Sequence, residues 1–270
     1  MRRIFVLFYW IFKNTNNVSF RELVSFLFKP KMHSIASRFI SEVSVEDEFY
    51  RISFSGIEYP LYWPVQFGVK GYLQVTSETF DPNDWHFYQN RFKVESSEIL
   101  LDIGAAEGLF PLSVIDKCQQ VILIEPNAAF TEALKNTFSP FRGKVQILNF
   151  AVGEKNGEVS FNENSLSGSV SHGVGGSHVV LMSTIDELIK DDIKVTFFKA
   201  DIEGFELNML KGAKDTIIRN RPKIVITTYH DENNADEIID LVKSMVPEYN
   251  FKKRGVFHKQ GKPVTVHFWI

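Results

Sequence analysis

Residues 99–127 read ILLDIGAAEGLFPLSVIDKCQQVILIEPN, and the two apolar runs in that stretch decide the fold. Ile99-Leu100-Leu101 and Val121-Ile122-Leu123-Ile124 are short, unbroken and closed by acid or glycine, the pattern of strands buried on both faces. Between them a helix is expected from Gly108 to about Asp116, so the stretch reads as a βαβ unit. The pattern then repeats. A helix from about Ala128 to Phe138 leads to a strand over Val145 to Phe150, and Val195 to Ala200 and Ile224 to Tyr229 supply further strands. Leu207, Leu210, Ala213 and Ile217 recur at helical spacing, which predicts one helix from about Phe205 to Arg219 with those residues facing the sheet. Another helix covers Asn234 to Met245, and Tyr249 to Lys253 and Val264 to Trp269 read as an antiparallel pair at the sheet edge. The fold class is α/β, a mostly parallel sheet with helices on both faces.

Composition narrows the function. The chain has 270 residues, 44% of them hydrophobic, which excludes a wholly disordered chain and a polytopic membrane protein. Its 30 basic and 33 acidic residues leave a net charge of -3, so no whole-chain electrostatic case for nucleic acid arises. Cys118 stands alone, which excludes an intramolecular disulfide and a multi-cysteine zinc site and favours a reducing, cytoplasmic compartment. The 25 Phe residues point to an aromatic-rich core.

The chain opens MRRIFVLFYWIFKN, with Arg2 and Arg3 before an apolar run from Ile4 to Phe12. That run is far short of the ~20 residues that span a bilayer. Two readings apply to residues 1–13: peripheral contact with the inner face of a membrane, or a helix packed on the main domain or in a homo-oligomer interface. Ser19-Phe20-Arg21-Glu22 is a capping box that starts a helix ending before Pro30, with Leu23, Phe26 and Leu27 on one face. Short β-like stretches follow at Tyr50 to Phe54 and Tyr72 to Val75. Residues 1–93 read as an N-terminal α+β cap that carries substrate, membrane or oligomer contacts, and 94–270 as the main domain. Tyr59, Tyr62, Trp63, Trp85, His86 and Tyr88 are aromatic candidates for a substrate pocket, most of them expected to serve packing.

In such sheets ligands bind beyond the carboxyl ends of the strands, which singles out residues 102–108, 125–127, 149–151, 199–204 and 229–231. Asp102 ends the first strand, and Gly104 and Gly108 bracket the turn into a helix whose free N–H groups suit the carboxylate of an amino-acid-like ligand, with Asp102 near its ammonium. The dinucleotide fingerprint G-x-G-x-x-G is broken by Ala106, against NAD. Glu125, acceptor-only, suits both hydroxyls of a ribose. Together these residues describe S-adenosylmethionine better than NAD. Lys199, Asp201 and Glu203 share one side if the backbone there is extended, and Gly204 then permits a turn. Three ionisable groups on one strand end make proton-transfer candidates. His230 is a candidate base, metal ligand or substrate contact. Asp201, Glu203, His230 and Asp231 offer metal-ligand atoms, but no multi-ligand spacing is recognisable and no metal is assigned. Residues 153–183 form a Gly-rich insertion, with small strands at Val159 to Phe161 and His178 to Met182 around a Gly/Ser loop, either a lid or a surface hairpin.

From about residue 97 to 230 the chain resembles the FkbM family of S-adenosylmethionine-dependent methyltransferases. The residues that carry the resemblance are DIGAAEG (102–108), IEPN (124–127), NFAVGEKNG (149–157), TIDEL (184–188), KADIEGFE (199–206), LKGA (210–213) and YH (229–230). The resemblance implies a class I, Rossmann-like methyltransferase sheet and methyl transfer to a hydroxyl of a sugar, glycan or similar natural product, as in polysaccharide biosynthesis. It places Asp102, Gly104, Ala105 and Gly108 in the cofactor loop, Glu125 on the ribose, Asn149 and Ala151 near the adenine, and Asp201 and Glu203 at the reaction centre, with His230 beside them. Ala106-Glu107 depart from the family, which often has Asn and a smaller residue there. The rival readings are a non-catalytic Rossmann-like protein that binds a glycan or partner, and an NAD-dependent oxidoreductase.

Overall fold

The computed structural model describes residues 2–161, 170–171, 178–230 and 235–270. Three helices open the chain, α1 (Arg2–Phe12), α2 (Phe20–Phe28) and α3 (Met32–Ala36). The capping box forms as the sequence predicts: Ser19 Oγ accepts from Glu22 N–H, and the Glu22 carboxylate accepts from Ser19 N–H. An antiparallel sheet of β1 (Ile40–Glu46), β2 (Phe49–Phe54) and β3 (Leu61–Pro64) follows, then α4 (Gly68–Phe80).

The stretch Tyr72 to Val75, expected as β-like, lies inside α4. Its local preference is overridden by packing: Gly71, Tyr72, Thr76 and Thr79 recur at helical spacing and are all buried.

The main sheet holds β4 (Glu98–Ile103), β5 (Cys118–Ile124), β6 (Val145–Leu148), β11 (Phe197–Ala200), β12 (Lys223–Thr227), β13 (Asn250–Arg254) and β14 (Thr265–Trp269), in the order β13-β14-β12-β11-β4-β5-β6. The pairs from β12 to β6 are parallel, and β14 is antiparallel to both β12 and β13, as expected for the edge pair. Side chains alternate between two cores. Leu101, Ile103, Ile122, Ile124, Phe198 and Ile224 face one layer. Leu100, Val121, Leu123, Phe197 and Val225 face the other.

The first layer is covered by α7 (Ile185–Leu188), α8 (Glu206–Lys211), α9 (Lys214–Asn220) and α10 (Ala235–Met245). The second is covered by α5 (Leu109–Val114), α6 (Ala128–Thr137) and the N-terminal elements, whose Trp63 is fully buried with its ring 5.7 Å from that of Phe130. A third cluster seats α1 and α2 on the turn before β14, through Val6, Val18, Leu23, Trp85, Val256 and Val264. Trp85 stacks on Phe26 with ring centroids 3.8 Å apart.

The single helix expected from Phe205 to Arg219 is two, α8 and α9, broken at Gly212-Ala213. The backbone of Gly212 meets that of Gly153, where a Cβ would fall 2.0 Å from the Gly153 carbonyl oxygen, and the Gly212 carbonyl accepts from Asp186 N–H at 3.0 Å. These contacts take the place of a continuous helix. Leu210, Ala213 and Ile217 nonetheless face the core as the spacing predicts, with Leu207 half-buried against it.

The insertion forms a small sheet of β7 (Ala151–Val152), β8 (Gly157–Phe161), β9 (Val170–Ser171) and β10 (His178–Ser183). Both small strands expected there are present, and most of the Gly/Ser loop between them lies outside the described residues.

Candidate active site

The chain runs outward in opposite directions from the adjacent strands β4 and β11, which makes their carboxyl ends the switch point of the sheet. The two strand ends touch. Gly104 has φ +69, and a Cβ there would lie 2.0 Å from the carbonyl oxygen of Asp201. Only glycine fits both the backbone angle and the space. Gly108, φ +80, lets the start of α5 pack against Leu134 of α6 and Phe138 just after it.

Ala106 stands between them at φ +45, a left-handed conformation that Asn tolerates better than Ala. Its N–H donates to Glu125 Oε2 at 2.8 Å, and Asn127 N–H donates to Glu125 Oε1 at 2.8 Å. Glu125 therefore braces the glycine loop against the end of β5. Each of its oxygens keeps a second lone pair. Burial pushes its carboxyl up to about 7 against the pull of these two N–H groups.

Asp102 and Lys199 face each other across the β4–β11 register, Nζ to Oδ1 2.8 Å, both buried. Lys199 Nζ also donates to the Gly104 carbonyl at 2.8 Å. Burial works against the Lys199 cation, but Asp102 and Asp201 outweigh it and hold it protonated. Asp102 Oδ2 is buried without a hydrogen-bond donor.

The strand ends at Ala200, and the extended backbone on which a shared side depended does not run through Glu203. Glu203 has φ +56 and Gly204 φ +112, so the chain turns, and Asp201 and Glu203 converge on His230 by that turn instead of by strand alternation. Glu206, fully buried, braces the turn by accepting from Ile202 N–H at 3.1 Å and Gly204 N–H at 3.0 Å. His230 Nδ1 lies 3.2 Å from Glu206 Oε1, and Nε2 lies 3.1 Å from Glu203 Oε2 and 3.9 Å from Asp201 Oδ1. Tyr88 donates to Asp201 Oδ2 at 2.9 Å and Thr227 to Asp201 Oδ1 at 2.9 Å.

Burial disfavours the His230 imidazolium, but Glu203, Glu206 and Asp201 together raise it to about 10. Burial likewise opposes ionisation of Asp201, and His230, Lys199, His86 and Tyr88 outweigh it, so its carboxyl is held below the ordinary range. Asp201, Glu206 and His230 present atoms within 4.8 Å of one another and form the metal-competent group among the described residues. Glu206 stands there in place of Glu203, and Asp231 lies outside the described residues.

These groups open into one cavity of about 910 Å³, to which each of the strand-end windows contributes. Asp102, Gly104, Ala105, Glu125, Ala151, Asp201, Glu203 and His230 line it. Gly108 and Asn149 do not. Asn149 is exposed, and its amide donates to the Glu125 carbonyl at 2.9 Å and to Thr131 Oγ1 at 2.9 Å.

The far wall is N-terminal: the pocket candidates Trp63, His86 and Tyr88 stand in it, and the sequence reading missed only the contribution of α4. Gly71, Gln74, Val75 and Glu78 of α4 face the cavity with His86 and Tyr88. Their spacing of three and four is the helical signal that the β-like reading of Tyr72 to Val75 hid. Burial lifts Glu78 to about 7, with Asp84 and Asp201 adding to the rise and His86 opposing it. His86 Nδ1 is 3.2 Å from Asp84 Oδ1 and 3.7 Å from Glu78 Oε1, and Lys29 Nζ meets Asp84 Oδ2 at 2.5 Å. Of the remaining aromatic candidates Trp63 lines the cavity, whereas Trp85 packs on Phe26.

Among solved structures the chain is similar to methyltransferase FkbM from Methylobacillus flagellatus KT, with TM-score 0.54 and 20% identity, covering 76% of this chain and 56% of that one. The chain thus spans little more than half the length of that protein. It also aligns with Trm5b from Pyrococcus abyssi at TM-score 0.43 and 9% identity, covering 84% of this chain and 62% of that one. No curated protein matches it in sequence. The sequence profile of the methyltransferase FkbM domain matches residues 102–253, from the penultimate residue of β4 to the penultimate residue of β13. With the profile covering more than half of the chain and the seven-stranded sheet in place, the chain belongs to the FkbM methyltransferase family.

Proposed function

We propose that this chain is an S-adenosylmethionine-dependent O-methyltransferase whose acceptor is a hydroxyl of a sugar, a glycan or a similar natural product. One observation carries the reading: a single cavity joins the Gly104–Glu125 cradle to the Asp201–Glu203–His230 cluster. The residues suit the cofactor. Gly104 admits no side chain, Glu125 offers acceptor lone pairs to a pair of hydroxyls, and the buried Asp102 Oδ2 lacks the donor that an ammonium brings.

Bound there, the cofactor supplies a methyl group already activated on a positively charged sulfur. The protein's task is to place the acceptor oxygen and take its proton. Holding the reactants in position lowers a barrier by ~7–11 kcal/mol, and a placed base adds typically ~10²–10⁴-fold. The three carboxylates around His230 raise it to about 10, which suits it to hold a positive charge more than to act as that base. It fixes Glu203, Glu206 and Asp201 and offsets their charge. Asp201 and Glu203 are the acceptors of the hydroxyl proton, Asp201 oriented by Tyr88 and Thr227. The carboxylates that line this end of the cavity favour a polyhydroxylated acceptor, which donates hydrogen bonds, over a phosphorylated one.

Isothermal titration with S-adenosylmethionine, S-adenosylhomocysteine and NAD tests the cofactor site. The adenosyl ligands should bind and NAD should not. Glu125→Gln, which keeps a carbonyl acceptor for the loop, should weaken adenosyl binding by about tenfold. Asp201→Asn and Glu203→Gln should each retain cofactor affinity while turnover falls by ~10²-fold or more. Near-normal turnover in both variants overturns the assignment of the base.

A further inference from the structure

α1 has two faces of different fate. Val6 is buried, and Leu7, Tyr9 and Trp10 pack with it onto the turn before β14. Ile4, Phe5, Phe8, Ile11 and Phe12 recur at helical spacing and stand in solvent, Ile4 at 69% and Phe12 at 71% exposure. Five large apolar side chains on one helical stripe form a patch that water does not favour. Phe20 and Phe28, at the two ends of α2, are exposed as well.

The stripe is framed by cations. Arg2 precedes it and Lys13 follows it, both exposed, and residues 1–21 contain no Asp or Glu. Arg2 and Lys259 act together on His258, where they and burial disfavour a further positive charge. Arg3 faces inward and holds the carbonyls of Leu27 and Lys29, which fixes α1 to the end of α2. The patch is therefore rigidly mounted.

It is also mounted beside the cavity. Tyr9 OH donates to the Lys259 carbonyl at 2.7 Å, and the Tyr9 ring lies against Gly261. Phe257 and Lys259 of that same turn line the cavity, and Lys262 Nζ donates to the His230 carbonyl at 3.0 Å.

We propose that the outward face of α1 docks in the interface of an anionic lipid bilayer, which sets the mouth of the cavity at the membrane surface. A helix seated on its protein by one apolar face, with an outward stripe of aromatic and aliphatic residues between basic ends, presents to that interface the side an interfacial helix buries there. Eleven residues do not cross it, and no described helix is long and apolar enough to do so. A second copy of the chain is the weaker occupant. A two-fold contact sets the same face against itself, and here Arg2 and Lys13 would meet their own kind with no acid on residues 1–21 to pair with them. Phospholipid headgroups supply the missing negative charge. The proposal stands apart from the reaction assigned to the cavity.

Flotation of the full chain with phosphatidylcholine/phosphatidylglycerol vesicles tests it. The protein should float with these vesicles, several-fold less with phosphatidylcholine alone, and less again at high salt. The double variant Phe8→Glu/Phe12→Glu alters exposed side chains only, so its thermal midpoint and its affinity for S-adenosylhomocysteine should match wild type. Its partition into anionic vesicles should fall by at least about tenfold. Equal flotation of variant and wild type, or no flotation of either, overturns the proposal. So does a dimer in sedimentation equilibrium that the double variant dissolves while vesicles capture nothing.

Discussion

His230 is gripped by Glu203, Glu206 and Asp201, and the grip has a sign. Its folded-state value of about 10 lies above its ordinary 6.5, so the folded protein holds this proton more tightly than the unfolded chain does. The stabilisation is complete below pH 6.5 and is lost as pH rises through about 10. The thermal midpoint, followed by circular dichroism, should therefore fall across that window, and His230→Gln should flatten the fall. The acids and the histidine at the strand ends were legible in the sequence because the strand-end rule points straight at them. Glu206 was not read as part of the site, since an acid in the first turn of a helix reads as a dipole partner. Its role appears only where the chain folds back and offers it the N–H groups of Ile202 and Gly204.

At the scale of elements, period and length sufficed wherever a segment was apolar and buried. β4, β5, β12 and α6 fall within a few residues of their expected places. The reading failed where tertiary contact beat local preference. α4 carries β-branched residues and glycines, yet its buried face makes it helical. The α8–α9 break was hidden because Leu210, Ala213 and Ile217 keep helical phase across it. Gly212→Ala tests the reason for the break. In an exposed helix the change would gain ~1 kcal/mol. Here the new methyl meets the Gly153 backbone, and urea unfolding should show a loss of ~1–3 kcal/mol.

In the whole molecule, the N-terminal elements and the sheet share cores. Trp63 and Phe67 pack on Phe130, Asn16 Nδ2 donates to the Gly255 and Gly261 carbonyls, and Arg254 reaches the carbonyls of Pro82 and Phe87. Scanning calorimetry should give one cooperative transition, and a chain begun at residue 94 should lose it, because Phe130 and its neighbours would face water. Sequence periodicity cannot reveal such sharing, because it ranks faces as apolar without saying which faces meet. The seam has an optical consequence. Trp85 lies stacked on Phe26 where α2 meets the turn before β14, Trp63 sits in the shared core, Trp10 rides on α1, and Trp269 lies under Arg91 at the sheet edge. The chain has four tryptophans, of which Trp10 and Trp85 share the cluster beneath α1 and α2 while Trp63 and Trp269 lie apart from it. Replacing them one at a time by phenylalanine would turn native fluorescence into a regional reporter, with Trp10 watching α1 and Trp85 watching the seam, and no dye attached.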